Sequence, residues 1–151
     1  MTVILGLTYV FVVLPSGRED RAEQDAVART ATGLMHALGR GDGSAASAVL
    51  TRPAATALAG RQGVADCPAA VASLARALTR EERDSIAAAE LTDEHVNPMK
   101  KDRRKDPLIP VELPANPFDF TRFLVAERSG EWRVVRVDQG GRGAGGHVGR
   151  L

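Results

Sequence analysis

Few side chains in this 151-residue chain have the type and spacing that chemistry needs. His36, His95 and His147 stand far apart, so no metal-ligand spacing is visible. A single cysteine, Cys67, excludes an intrachain disulfide and any multi-cysteine zinc or iron–sulfur site. Helix N-termini lower thiol pKa values, but Cys67 has no histidine nearby in sequence, and a packed or capping thiol is its expected role. The run Gly140-Gly141-Arg142-Gly143-Ala144-Gly145-Gly146 is no phosphate loop, because it opens no helix and lacks Gly-Lys-Ser/Thr. No metal and no cofactor is expected.

Three residues remain as candidates for contact with a ligand. His36 lies next to the apolar stripe of the first helix and could point into a pocket. Arg122 falls on the same strand face as Phe118, Phe120 and Leu124, where a cation inside a curved sheet could hold an anion. Trp132 could offer a platform. Each also has a plain structural role: a boundary histidine, a snorkelling arginine and a hairpin-core aromatic. Asp42 reads as a helix N-cap before it reads as a base, and Asp119 as a solvated strand-start residue. No catalytic set emerges, which leans the reading away from an enzyme.

Composition narrows the partners. Twenty Lys and Arg against nineteen Asp and Glu leave a net charge of +1, so a globally basic nucleic-acid binder is not expected. Aromatics make up 4%, which leaves few stacking platforms for single strands. The basic residues between Lys100 and Lys105 are broken by Asp102 and followed by Asp106, with no aromatic among them. That pattern reads as a solvated loop.

The elements that position the candidates fall into two halves. Residues 18–38 form a helix, since Val27, Ala31, Leu34, Met35 and Leu38 recur on one face. Gly39 and Gly41 end it. Asp42 caps a second helix over 43–51, Pro53 opens a third over 53–59, and Asp66 or Cys67 caps a fourth opened by Pro68. Thr79-Arg80-Glu81-Glu82 matches a capping box for one further turn. Residues 86–96 are assigned to a strand, and Leu108 to Leu113, flanked and interrupted by prolines, to an edge strand. Residues 118–128 and 131–138 form a hairpin about Ser129-Gly130. Strict alternation places Ala126 with Arg122 on one face of the first hairpin strand, and Phe123 and Val125 on the other. On the second, Trp132, Val134 and Arg136 alternate with Arg133, Val135 and Val137. Residues 139–151 read as a Gly-rich flexible tail.

Residues 1–17 carry no charged side chain, and Val3 to Leu14 is almost wholly apolar. The run is shorter than the ~20 residues that span a bilayer comfortably and closer to the h-region of a signal peptide. It lacks a preceding Lys or Arg and an A-x-A-like site, and Pro15-Ser16-Gly17 breaks it. An uncleaved signal anchor is the preferred reading. A cleaved export signal and a buried β-strand stay open beside it.

Helices followed by a curved antiparallel sheet make an α+β domain. The segments Leu34-Met35-His36-Ala37-Leu38-Gly39-Arg40-Gly41-Asp42-Gly43-Ser44-Ala45-Ala46, Asp66-Cys67-Pro68-Ala69-Ala70 and Ser129-Gly130-Glu131-Trp132-Arg133-Val134, with the apolar N-terminus, resemble the NTF2-like superfamily. Within it, the chain resembles small membrane-anchored or secreted bacterial proteins of unassigned function. The resemblance covers most of residues 18–138. It implies helices packed on a curved sheet of three to four strands around a conical pocket. It also implies a cysteine in the second helix paired with the position of Cys67. Ser47 stands there instead, which leaves Cys67 free.

The expectation is therefore a segment 1–17 at a membrane, an NTF2-like domain over 18–138 and a tail over 139–151. The domain would be a non-enzymatic interaction or small-ligand-binding module outside the cytoplasm; it would be cytoplasmic if residues 1–17 were core. A homodimer through the open sheet face is a further expectation. The alternative is an NTF2-like isomerase, cyclase or dehydratase acting on an apolar molecule, with an acid–base residue tuned by burial.

Overall fold

The computed structural model describes residues 10–98 and 107–141, with side chains from residue 17 onward. Helix α1 spans Val10–Arg40, α2 Gly43–Val49, α3 Arg52–Gln62, α4 Cys67–Arg76 and α5 Arg80–Ala87. Strands β1 (Ile109–Glu112), β2 (Phe120–Arg128) and β3 (Glu131–Gln139) form one antiparallel sheet in the order β1-β2-β3. The fold class is α+β.

Local chemistry explains the helix starts. Asp42, Thr51 and Asp66 each accept a hydrogen bond from the backbone N–H three residues on, which satisfies a donor the helix leaves orphaned. Thr79 and Glu82 complete the capping box in both directions. That box starts a helix of eight residues, longer than the single turn expected. Pro53 and Pro68 sit in first turns, where a missing N–H costs nothing. Asp66, and not Cys67, caps α4.

Three expectations are corrected. The helix does not stop at Pro15-Ser16-Gly17; α1 runs through them from Val10. Residues 86–96 are not a strand. Ile86 and Ala87 complete α5, and a 3-10 turn occupies Asp93–His95. Only Val96 bridges the sheet, opposite Val111. The Thr79–Glu82 capping box starts a helix that extends through Ile86 to Ala87, and Ala88 caps its end. Residues 139 and 140 belong to the fold, and residues 142–151 lie outside the described residues. Gln139 pairs with Phe120 in β3, its side chain donates to Phe118 O at 3.0 Å, and Gly140 N–H donates to Asp119 O at 2.7 Å.

The facing of the sheet also differs from strict alternation. The ladder shifts between Phe120 and Arg122 and again between Leu124 and Val125. Each shift inserts an extra residue, Thr121 in β2 and Val135 in β3, and reverses every side chain beyond it. Phe120, Phe123 and Val125 therefore share the face turned to the helices, with Val134 and Val137. Arg122, Leu124 and Ala126 share the opposite face with Asp138, Arg136 and Arg133.

Apolar side chains pack between the helices and the sheet. Val27, Leu34, Met35, Leu38, Val71, Val111, Phe123, Val125 and Val134 are essentially fully buried. Phe118, Phe120 and Phe123 pack in sequence, with ring centroids 5.3 Å and 6.3 Å apart. Among the described residues no polar or charged residue is buried. From Gly17 to Ala22 every residue of α1 is exposed. Six residues exceed one helical turn, so every side of the helix meets solvent there. Among the described residues no helix is long and apolar enough to cross a membrane. Most of the apolar run, residues 1–9, lies outside the described residues, as does the basic loop.

Candidate functional site

The structure does not bring His36, Arg122 and Trp132 together. His36 and Thr32, one turn apart on α1, clamp the chain that follows α5. The Nε2–H of His36 donates to Ala89 O at 2.7 Å. Leu91 N–H donates to Thr32 Oγ1 at 3.0 Å, and that hydroxyl donates to Leu91 O at 3.3 Å. These bonds satisfy backbone groups of residues 89–91, which belong to neither helix nor strand.

Arg122 points away from the helices, which corrects the expectation that it lies inside a curved sheet with Phe120. Its Nε donates to Asp138 Oδ2 at 2.9 Å, and its Nη2 lies 2.7 Å from the same oxygen. Arg136 Nε donates to the other oxygen at 2.7 Å. Partial burial works against the charged carboxylate, but bonds from Arg136 and Arg122, with their positive charges, outweigh it. They hold Asp138 below the usual carboxylate range. Two guanidiniums share one carboxylate and pin β2 to β3.

Asp42 is an N-cap, as read from the sequence. Asp119 adopts a left-handed backbone conformation (φ 58°) just before β2, with its carbonyl tied to Gly140. Asn116 organises the same loop, bonding Pro114 O, Phe120 O and Phe120 N–H. Cys67 is a free, buried thiol. Ser47 is exposed, and its hydroxyl donates to Gly43 O in its own helix.

Trp132 lines a groove at the sheet edge, of about 590 Å³. Its far wall is α1, where Ala26, Arg29, Thr30 and Gly33 recur at i, i+3, i+4 and i+7 and so form one stripe. Ala48 and Val49 at the end of α2 close one side, and Glu131 and Arg133 flank the indole. Trp132 packs against the core on one side and opens to the groove on the other. Arg133 is committed elsewhere, donating to Ala48 O and pairing with Glu131.

Gly33 is unusual within this wall. Glycine in a helix interior costs about 1 kcal/mol relative to alanine. Yet a Cβ at Gly33 would meet only Val49 Cγ2, at an ordinary 3.9 Å. Packing does not require this glycine; its effect is to keep the groove open. Sequence reasoning missed both Gly33 and Arg29. The signal was an isolated glycine inside a strong helical pattern.

A second cleft, of about 550 Å³, lies around the hairpin turn by Arg52, Pro53, Arg128 and Arg133. A third, of about 280 Å³, lies between α5 and the 114–117 loop. Comparison with known protein families, with curated proteins and with solved structures finds no match for the chain.

Proposed function

We propose that the chain is a non-enzymatic domain of NTF2-like type, held at a membrane outside the cytoplasm by its N-terminal segment, and that it serves as an interaction or small-ligand-binding module. The observation that carries this is the exposed stretch of α1. Residues 17–22 meet solvent on all sides, and from Gly17 onward, where side chains are described, the first buried residue of the helix is Val27. A helix that leaves its own core in this way suits a stalk. It leads back to the uncharged, apolar residues 1–17. A core strand over Val3–Leu14 does not fit a helix that already includes Val10 to Leu14.

The order of helices and sheet supports the NTF2-like comparison. An enzyme of that type needs an acid–base residue set in an apolar cavity. Of the residues that could serve so, His36 is bonded to the Ala89 carbonyl and Asp42 caps α2.

The test is flotation with lipid vesicles. The full chain is expected to float with the vesicles, and a version starting at Arg18 to stay in the soluble fraction. Flotation of both, or of neither, would remove the anchor.

A further inference from the structure

We infer that the groove between α1 and the start of β3 binds a small carboxylate with an apolar tail. This rests on the ligand-binding reading above and names where the ligand sits and what its chemistry is.

The groove sorts its own contents. The walls supplied by Ala26, Gly33, Ala48 and Val49 carry nothing larger than an isopropyl group. Such walls take hydrocarbon and offer it no polar partner. The polar atoms left over are donors. Among the described residues, neither the Arg29 guanidinium nor the Trp132 indole N–H has a hydrogen bond or ion pair within the protein. The other polar groups are engaged: Thr30 donates to Ala26 O, and Glu131 pairs with Arg133. Arg29 and Arg133 against Glu131 leave one net positive charge on the lining. Free donors, a surplus positive charge and a smooth apolar wall fit an anionic acceptor joined to an apolar body. An amine would instead meet the surplus positive charge of the lining.

Size agrees. Small-molecule sites run to roughly 300–1,000 Å³, and this groove is about 590 Å³. The unforced glycine points the same way, because any side chain at position 33 would enter the space a tail would occupy.

Trp132 is the only tryptophan in the chain, so its emission reports on the groove. The experiment titrates the purified full chain, in zwitterionic nanodiscs, with octanoate, octanol and octylammonium. Heat of binding is followed on the same samples. Octanoate is expected to give a saturable change in Trp132 emission, and octylammonium none. Arg29→Gln should weaken octanoate about fivefold, the size of an exposed charge interaction, and leave octanol unchanged. Gly33→Leu should abolish the emission change, and its helix should be at least as stable. Equal binding of octylammonium, or octanoate binding unaffected by both substitutions, would overturn the inference. Two failures separate the claims. Heat that persists in Gly33→Leu while Trp132 stays silent places a ligand elsewhere, sinking the groove and sparing the ligand-binding reading. Absence of saturable binding by either readout sinks both.

Discussion

The helical layer and the sheet are packed on opposite plans. Helices α1 to α5 meet through small residues. Ala46, Ala54, Ala59 and Ala70 are buried, and glycines let backbones touch. A Cβ at Gly43 would overlap the Cα of Pro68 in α4, and one at Gly39 would lie 2.8 Å from the backbone N of Ala87 in α5. The sheet meets the helices through large side chains, Phe118, Phe120 and Phe123, with valines between them. At Gly39 and Gly43 an added atom has nowhere to go. In the sheet region a removed atom leaves a hole. The same methyl group therefore has opposite signs in the two halves.

The largest expected effect breaks the sheet side. Phe123 is fully buried, so Phe123→Ala should cost about 3–5 kcal/mol, read by chemical denaturation. A cost below about 1 kcal/mol would mean that the core is loose. Next comes the helical side. Gly43→Ala must push α2 off α4 and should cost about 1–3 kcal/mol, the usual range for overpacking. The same change at Gly33, where there is room, should instead add about 0.5–1 kcal/mol of stability. If both glycine substitutions moved stability in the same direction, the contrast in packing would be wrong.

The smallest effect lies on the outer face of the sheet. Asp138 titrates lower in the folded chain than in the unfolded one. Its stabilising contribution is therefore present above the ordinary carboxylate pKa of about 4 and lost as pH falls through the folded value. Arg136 is 57% exposed, so solvent screening should keep this contribution below about 1 kcal/mol. Asp138→Asn should be less stable than the parent at pH 7, and the gap should close toward pH 2. A gap that held constant down to pH 2 would rule out the ion pairs as its source.

The two regions also differ in how far they could be read in advance. Helix starts depend on neighbours three residues apart, so Asp42, Asp66 and the Thr79–Glu82 box were visible as local chemistry. The hairpin turn was visible too, because Ser129 and Gly130 both take positive φ, as a two-residue loop requires. Which way the strands face was not visible. Thr121 and Val135 look like any other β-branched strand residues, and only pairing shows that each is the extra residue of a bulge. The insertion at Thr121 turned Arg122 away from Phe120. The groove was hidden for a related reason. Arg29 and Gly33 are four residues apart on a legible helix, but β3 brings Trp132 to them only through its register with β2 and its bridge from Val134 to Leu50.

That residues 1–17 carry the domain and form no part of its core is tested most directly by unfolding the full chain and the version starting at Arg18 side by side. The exposed helix over residues 17–22 predicts equal midpoints and equal denaturant slopes. A shorter chain that unfolds earlier, with a smaller slope, would place the apolar segment inside the fold and contradict the stalk.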